Sequence, residues 1–155
     1  MMGTVNRSEN TALLASLAQL LEANRANLDD RYQHILRETL FLNRTALRPN
    51  MVKNIASEEL EAISDFLGPA KHPALEHGSH LYEIGLSEQV LLSLGQILRL
   101  FFLPHLAPEQ VAPMLEVIDS YQTDVILGFI RSLEKGIFSE QELTRKAFQR
   151  ASHQD

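Results

Sequence analysis

Residues 114–151, MLEVIDSYQTDVILGFIRSLEKGIFSEQELTRKAFQRA, keep helical spacing almost without interruption. At about 1.5 Å of rise per residue, one continuous helix of that length is roughly 55–60 Å long. A compact domain made from the rest of the chain measures only about 35 Å across. Part of the helix must then project from the domain or pair with something. Val117, Ile118, Tyr121, Val125, Ile126 and Phe129 supply a core face. Beyond that the apolar pattern thins to Leu133, Ile137, Thr144, Ala147 and Ala151, with Glu140 in register, the alternating four-three spacing of a short coiled-coil seam. Glu142 and Lys146 form a favourable i,i+4 pair there. The competing reading is a break at Gly136 and a restart capped by Ser139 with Glu142. Pro108 suits the first helical position, and Pro113 either kinks the helix or marks its start.

Upstream the periodicity is again helical. Leu13, Leu14, Leu17, Leu20 and Leu21 form one stripe, and Leu28, Tyr32, Ile35, Leu36 and Leu40 a second. A break within 24–27, with Asn27 as N-cap and Asp30 at the capping-box position, would divide them. Whether they form one helix or two is open. Arg48-Pro49-Asn50 reads as a connection. A helix over about 51–67 presents Ile55, Leu60, Ile63, Phe66 and Leu67, and Gly68-Pro69 ends it. A shorter helix covers about 74–84 with Gly85 after its end. Ser87 is placed to cap a helix over 88–103, which carries Val90, Leu91, Leu94, Ile97, Leu98, Phe101 and Phe102. Apolar on most of its circumference, that helix belongs in the middle of the fold. No segment alternates as a strand does. The predicted architecture is an all-α bundle of five to seven helices, with 1–10 as a flexible N-terminus, 11–135 as core and 136–155 as a linker or dimerisation extension.

The 155 residues suit one domain with a single core. Fourteen Lys and Arg against 20 Asp and Glu give a net charge of −6, and no basic stripe is present, which argues against nucleic acid. With no cysteine, disulfides, zinc thiolates and thiol catalysis are excluded. The polar segment 1–10 lacks a signal-peptide core. The most apolar run, Val90 to Leu106, is interrupted by Gln96, Arg99, Pro104 and His105 and falls short of a membrane span. The expected location is cytoplasmic.

His77 and His80 stand one helical turn apart between Glu76 and Glu83, a spacing that could hold zinc. With His72 nearby, the cluster reads more simply as a polar, solvent-facing patch, and no metal site is expected. Haem would need a buried histidine; His77, His80 and His105 are the candidates, none clearly on an apolar stripe. Ser57, Ser79, Ser87, Ser93, Ser120 and Ser139 lie in helices or at caps, without nucleophile-elbow or phosphate-loop glycines. Gly95 and Gly128, within apolar runs, read as places where helices approach closely. Glu58, Glu59 and Glu61 read as a solvated helix face. No catalytic residues are expected. Leu94, Leu98, Phe101, Phe102, Ile126 and Phe129 could enclose an apolar ligand, although ordinary core is the simpler reading.

Residues 57–63 (SEELEAI), 85–99 (GLSEQVLLSLGQILR) and 143–151 (LTRKAFQRA) resemble the N-terminal sensor domain of RsbR-type stressosome proteins, a haemless globin-like family. The resemblance covers about residues 12–151 and rests on helical patterns rather than a diagnostic motif. It implies a globin-like fold and a dimeric, non-enzymatic sensory input domain in bacterial stress signalling. Such a domain acts through its last helix on an output module, phosphoacceptor or histidine kinase, after Asp155, or on a separate partner. Leu133, Ile137, Thr144, Ala147 and Ala151 would form the dimer or signalling helix. The alternatives are a haem-binding gas or redox sensor and a free-standing carrier of an apolar molecule such as a fatty acid.

Overall fold

A computed structural model describes residues 7–43, 48–69 and 73–153. The described chain is all-helical: α1 (Arg7–Ala23), α2 (Arg25–Asn43), α3 (Val52–Leu67), α4 (Leu75–Glu83), α5 (Glu88–Phe102) and α6 (Pro108–Ser152). Short 3₁₀ turns, Pro49–Met51 and Leu103–His105, precede α3 and follow α5. Residues 7–10, expected to be flexible, are helical.

The first two stripes belong to separate helices. The division falls at Asn24 rather than Asn27, which lies inside α2. Asn24 places its side-chain amide 3.0 Å from the Leu20 carbonyl, while its own carbonyl accepts the Asn27 and Leu28 amides. One asparagine thus satisfies groups on both sides of the break, which is why the chain turns there.

α4 ends as its sequence predicts. Gly85, at φ 91°, adopts the left-handed conformation that glycine tolerates best. Its amide bonds to the Tyr82 carbonyl and the Leu86 amide to that of Leu81, the paired bonds of a Schellman motif. Leu86 and Leu81 are both buried, so the turn also closes an apolar contact. Ser87 does precede α5, but its hydroxyl makes no capping bond and is buried without a partner.

α6 is the spine. It runs 45 residues without interruption, so Pro113 lies inside it and Gly136 does not break it. Gly136 has a packing reason instead: a Cβ there would crowd the Tyr82 hydroxyl. Ser139 is exposed within the helix and Glu142 bonds Arg145, so no second capping box forms.

Two helices lie along α6 in opposite senses. Gly95 meets the Gln122 side chain and Arg99 reaches back to Asp119, so α5 runs antiparallel to α6. Ala74 bonds Asp124, Ser79 bonds the Gly128 carbonyl, and Tyr82 stacks edge-on against Phe129, so α4 runs with it. Gly78 and Gly128 make this crossing close. A Cβ on either would overlap the opposing backbone, at Val125 and at Leu75 respectively. α2 packs between α3 and α5, and α1 closes the bundle against α3 and α6. The core includes Leu17, Leu21, Leu28, Leu36, Ile55, Ile63, Leu81, Leu98, Phe101, Phe102, Met114 and Ile118, all nearly inaccessible.

Candidate functional site

The most unusual feature of this interior is polar. Glu59 lies on the apolar stripe of α3, one turn after Ile55 and one turn before Ile63, and its side chain is 3% exposed. The sequence reading of Glu58, Glu59 and Glu61 as one solvated face therefore fails at Glu59. Three of its neighbours in α3, Ala56, Leu60 and Ile63, are buried, so the backbone carries the carboxylate inward with them. Glu58 and Glu61 do stay toward solvent.

A buried carboxylate is tolerated only when paired and hydrogen-bonded. Glu59 receives both kinds of partner. His77 of α4 places Nε2 2.5 Å from Oε1, and the Tyr121 hydroxyl of α6 donates to Oε2 at 3.3 Å. The His77 side chain is only 11% exposed, contrary to the solvent-facing patch expected for it. Burial works against the imidazolium. The hydrogen bond and charge of Glu59, with the charge of Glu58, outweigh it and hold the His77 pKa above its usual 6.5.

Tyr32 of α2 completes the cluster. Its ring is wholly buried and its hydroxyl has no hydrogen-bond partner. Burial, and then the charge of Glu59, push both the Tyr32 and the Tyr121 pKa well above 10. Four helices thus converge on one carboxylate. Beside it a cavity of about 10 Å³ is lined by Glu59, Leu94, Gly95, Tyr121 and Gln122, among others. That is about the space one water needs. Gln122 is held in turn by Arg99, which also pairs with Asp119 at 2.6 Å.

The remaining sequence candidates are distributed differently. His80 points to Glu58 at 2.8 Å, so the two histidines of α4 engage two carboxylates of α3 rather than a common point. His72 lies outside the described residues. His105 is exposed, its ring tilted 6.0 Å from that of Phe101. Of the apolar candidates, Leu94, Leu98, Phe101, Phe102 and Phe129 are buried and Ile126 half-buried. The antiparallel register of α5 on α6 spreads them along roughly 20 Å of the seam, at about 1.5 Å per residue. Phe101 packs edge-on against Phe102 at one end, and Phe129 against Tyr82 at the other.

On α6, Leu133 is half-buried, while Ile137, Thr144, Ala147 and Ala151 are exposed, as is every residue from 139 to 153. The large apolar side chains exposed on α6 are Leu127, Ile130, Ile137, Phe138, Leu143 and Phe148. An outer cleft of about 410 Å³ lies where α4 crosses α6, lined by Leu75, Glu76, Ser79, Arg131, Lys135 and Phe138, among others. Its charges balance, since Glu134 lines it as well.

The sequence did carry signals for the buried cluster. Glu59 falls on its helix's stripe, and so do Tyr32, one turn from Leu28 and Leu36, and Tyr121, one turn from Val125. What was missing was the partner, since His77 is 18 positions from Glu59 and Tyr121 is 62. No helix among the described residues is long and apolar enough to cross a membrane. No family model, curated protein or solved structure matches this chain.

Proposed function

We propose that this chain is a non-enzymatic input domain of a bacterial signalling protein, dimeric, with α6 as its output. The observation that carries this reading is the course of α6. The same helix is buried at Met114, Ile118, Tyr121, Val125 and Phe129, and is exposed on all sides from 139 to 153. A rigid element anchored in the core and projecting from it transmits any change in core packing to its far end. The resemblance of residues 57–63, 85–99 and 143–151 to RsbR-type sensor domains supports the same role.

The exposed part also has the pattern of a pairing helix. Leu127, Ile130, Glu134, Ile137, Gln141, Thr144, Phe148 and Ala151 follow one another in strict three-four steps, and every one is exposed. This seam shares Ile137, Thr144 and Ala151 with the one expected from sequence, but has Glu134, Gln141 and Phe148 in place of Leu133, Glu140 and Ala147. Its polar members Glu134 and Gln141 would limit affinity, as suits a contact that is remade during signalling.

Light scattering on the full chain and on a version lacking 137–155 tests the reading. A dimer that becomes a folded monomer on truncation is the expected result. A full-length chain that stays monomeric at tens of micromolar overturns the dimer, and with it this route of output.

A further inference from the structure

α4 has only nine residues. Isolated helices shorter than about 12–15 residues are marginal in water, so tertiary contacts decide where α4 lies. Its main seat is α6, the helix it packs against most extensively. Gly78 and Gly128 set the crossing with α6, Ser79 bonds the Gly128 carbonyl, and Tyr82 packs on Phe129. His77 precedes Gly78 directly and is tied to Glu59 of α3.

We propose that the His77–Glu59 pair is a proton-controlled clasp, which when protonated holds α4 in this seat on α6 and when deprotonated releases it, so that the domain reads pH. The proposal rests on α6 being the output element, since α4 is packed along α6 where the helix leaves the core.

The surroundings favour one charge state. From α3, Glu59 and Glu58 face His77. From α6, Tyr121 shares Glu59, and Asp124 accepts the Ala74 amide at the start of α4 at 3.3 Å. Tyr32 of α2 is close enough to feel the Glu59 charge. On α4 itself, His80 is engaged by Glu58, and Glu76 lines the outer cleft with Arg131 and Lys135. Arg131 and Lys135 of α6 thus lie in the outer cleft rather than at Glu59, and Arg99 is taken by Asp119 and Gln122. Among the described residues, His77 is the cation that bonds Glu59. Once it loses its proton, the Glu59 charge has two neutral hydrogen-bonding partners and no counter-charge. A buried charge left that way is strongly destabilising. The water-sized cavity beside Glu59, between α3, α5 and α6, gives the interior a place to relax by hydration.

The test is an NMR titration of the full chain between about pH 5.5 and 9, following the His77 imidazole and the hydrogen-exchange protection of residues 75–83. Protection is corrected for the intrinsic pH dependence of exchange. Expected is an about tenfold or greater loss of α4 protection with the same midpoint as His77, above 6.5. His77→Gln should remove the step. If that variant does not fold, Glu59→Gln serves, and the wild-type titration decides by itself. Constant protection while His77 titrates, or an unchanged step in His77→Gln, overturns the clasp. Light scattering at both ends of the titration separates the two readings. A switched α4 in a chain that is monomeric throughout keeps the clasp and removes the dimeric output. A dimer with unmoved α4 does the reverse.

Discussion

Gly128 of α6 lies so close to Leu75 of α4 that a methyl group on its Cα would overlap the Leu75 carbonyl. Backbone cannot rotate away as a side chain can. Gly128→Ala, and likewise Gly78→Ala against Val125, should cost about 2–3 kcal/mol or more by forcing the helices apart. Gly136→Ala is the control. It meets only the end of the Tyr82 side chain, and the better helix propensity of alanine, about 1 kcal/mol, should leave it near neutral. Urea denaturation of the three variants measures this. Equal losses at all three would show that the close crossing is not what the glycines provide.

The buried tyrosines should respond oppositely to losing a hydroxyl. Tyr121 donates to Glu59, so Tyr121→Phe should cost about 1 kcal/mol. Tyr32 has a buried hydroxyl with no partner, and removing it relieves a desolvation penalty. Tyr32→Phe should be neutral or stabilising by up to about 1 kcal/mol. A clear destabilisation would mean that this hydroxyl is bonded, most simply to a water.

Glu59→Ala should be severe, about 3–5 kcal/mol, because it leaves His77 buried without its partner. Replacing both members, as Glu59→Leu with His77→Leu, should recover much of the loss, since no uncompensated polar group remains. A double variant as unstable as the single one would place the cost in packing rather than charge.

Stability should fall with rising pH in two separate steps. His77 has a folded pKa above its unfolded value, so its contribution is complete below about 6.5 and is lost as pH climbs through the raised pKa. Tyr32 and Tyr121, also raised, keep their contribution up to about 10 and lose it above, where the unfolded chain ionises first. Denaturation midpoints measured across pH 5.5–11 would show both steps, and His77→Gln should abolish the lower one alone.

Helix content and helix ends were legible in the chain because they are local. Leu81, Tyr82, Gly85 and Leu86 carry a complete helix stop within a few residues, and the structure makes the bonds that this spacing implies. Continuity through Gly136 was not legible. A helical glycine and a Ser139–Glu142 pair spell a break unless something rewards the helix for continuing, and Tyr82 lies 54 positions earlier.

The sequence by itself determined an all-helical domain with helical spacing carried through residues 114–151, since period needs only neighbouring residues. The unbroken course of α6 past Gly136 came from the structure. Tertiary structure alone decided where along α6 the core stops and which face stays open. It also decided that Glu59, His77 and Tyr121 meet. Each of those depends on the register in which α3, α4 and α5 pack against α6, and register is set by contacts between residues far apart in the chain.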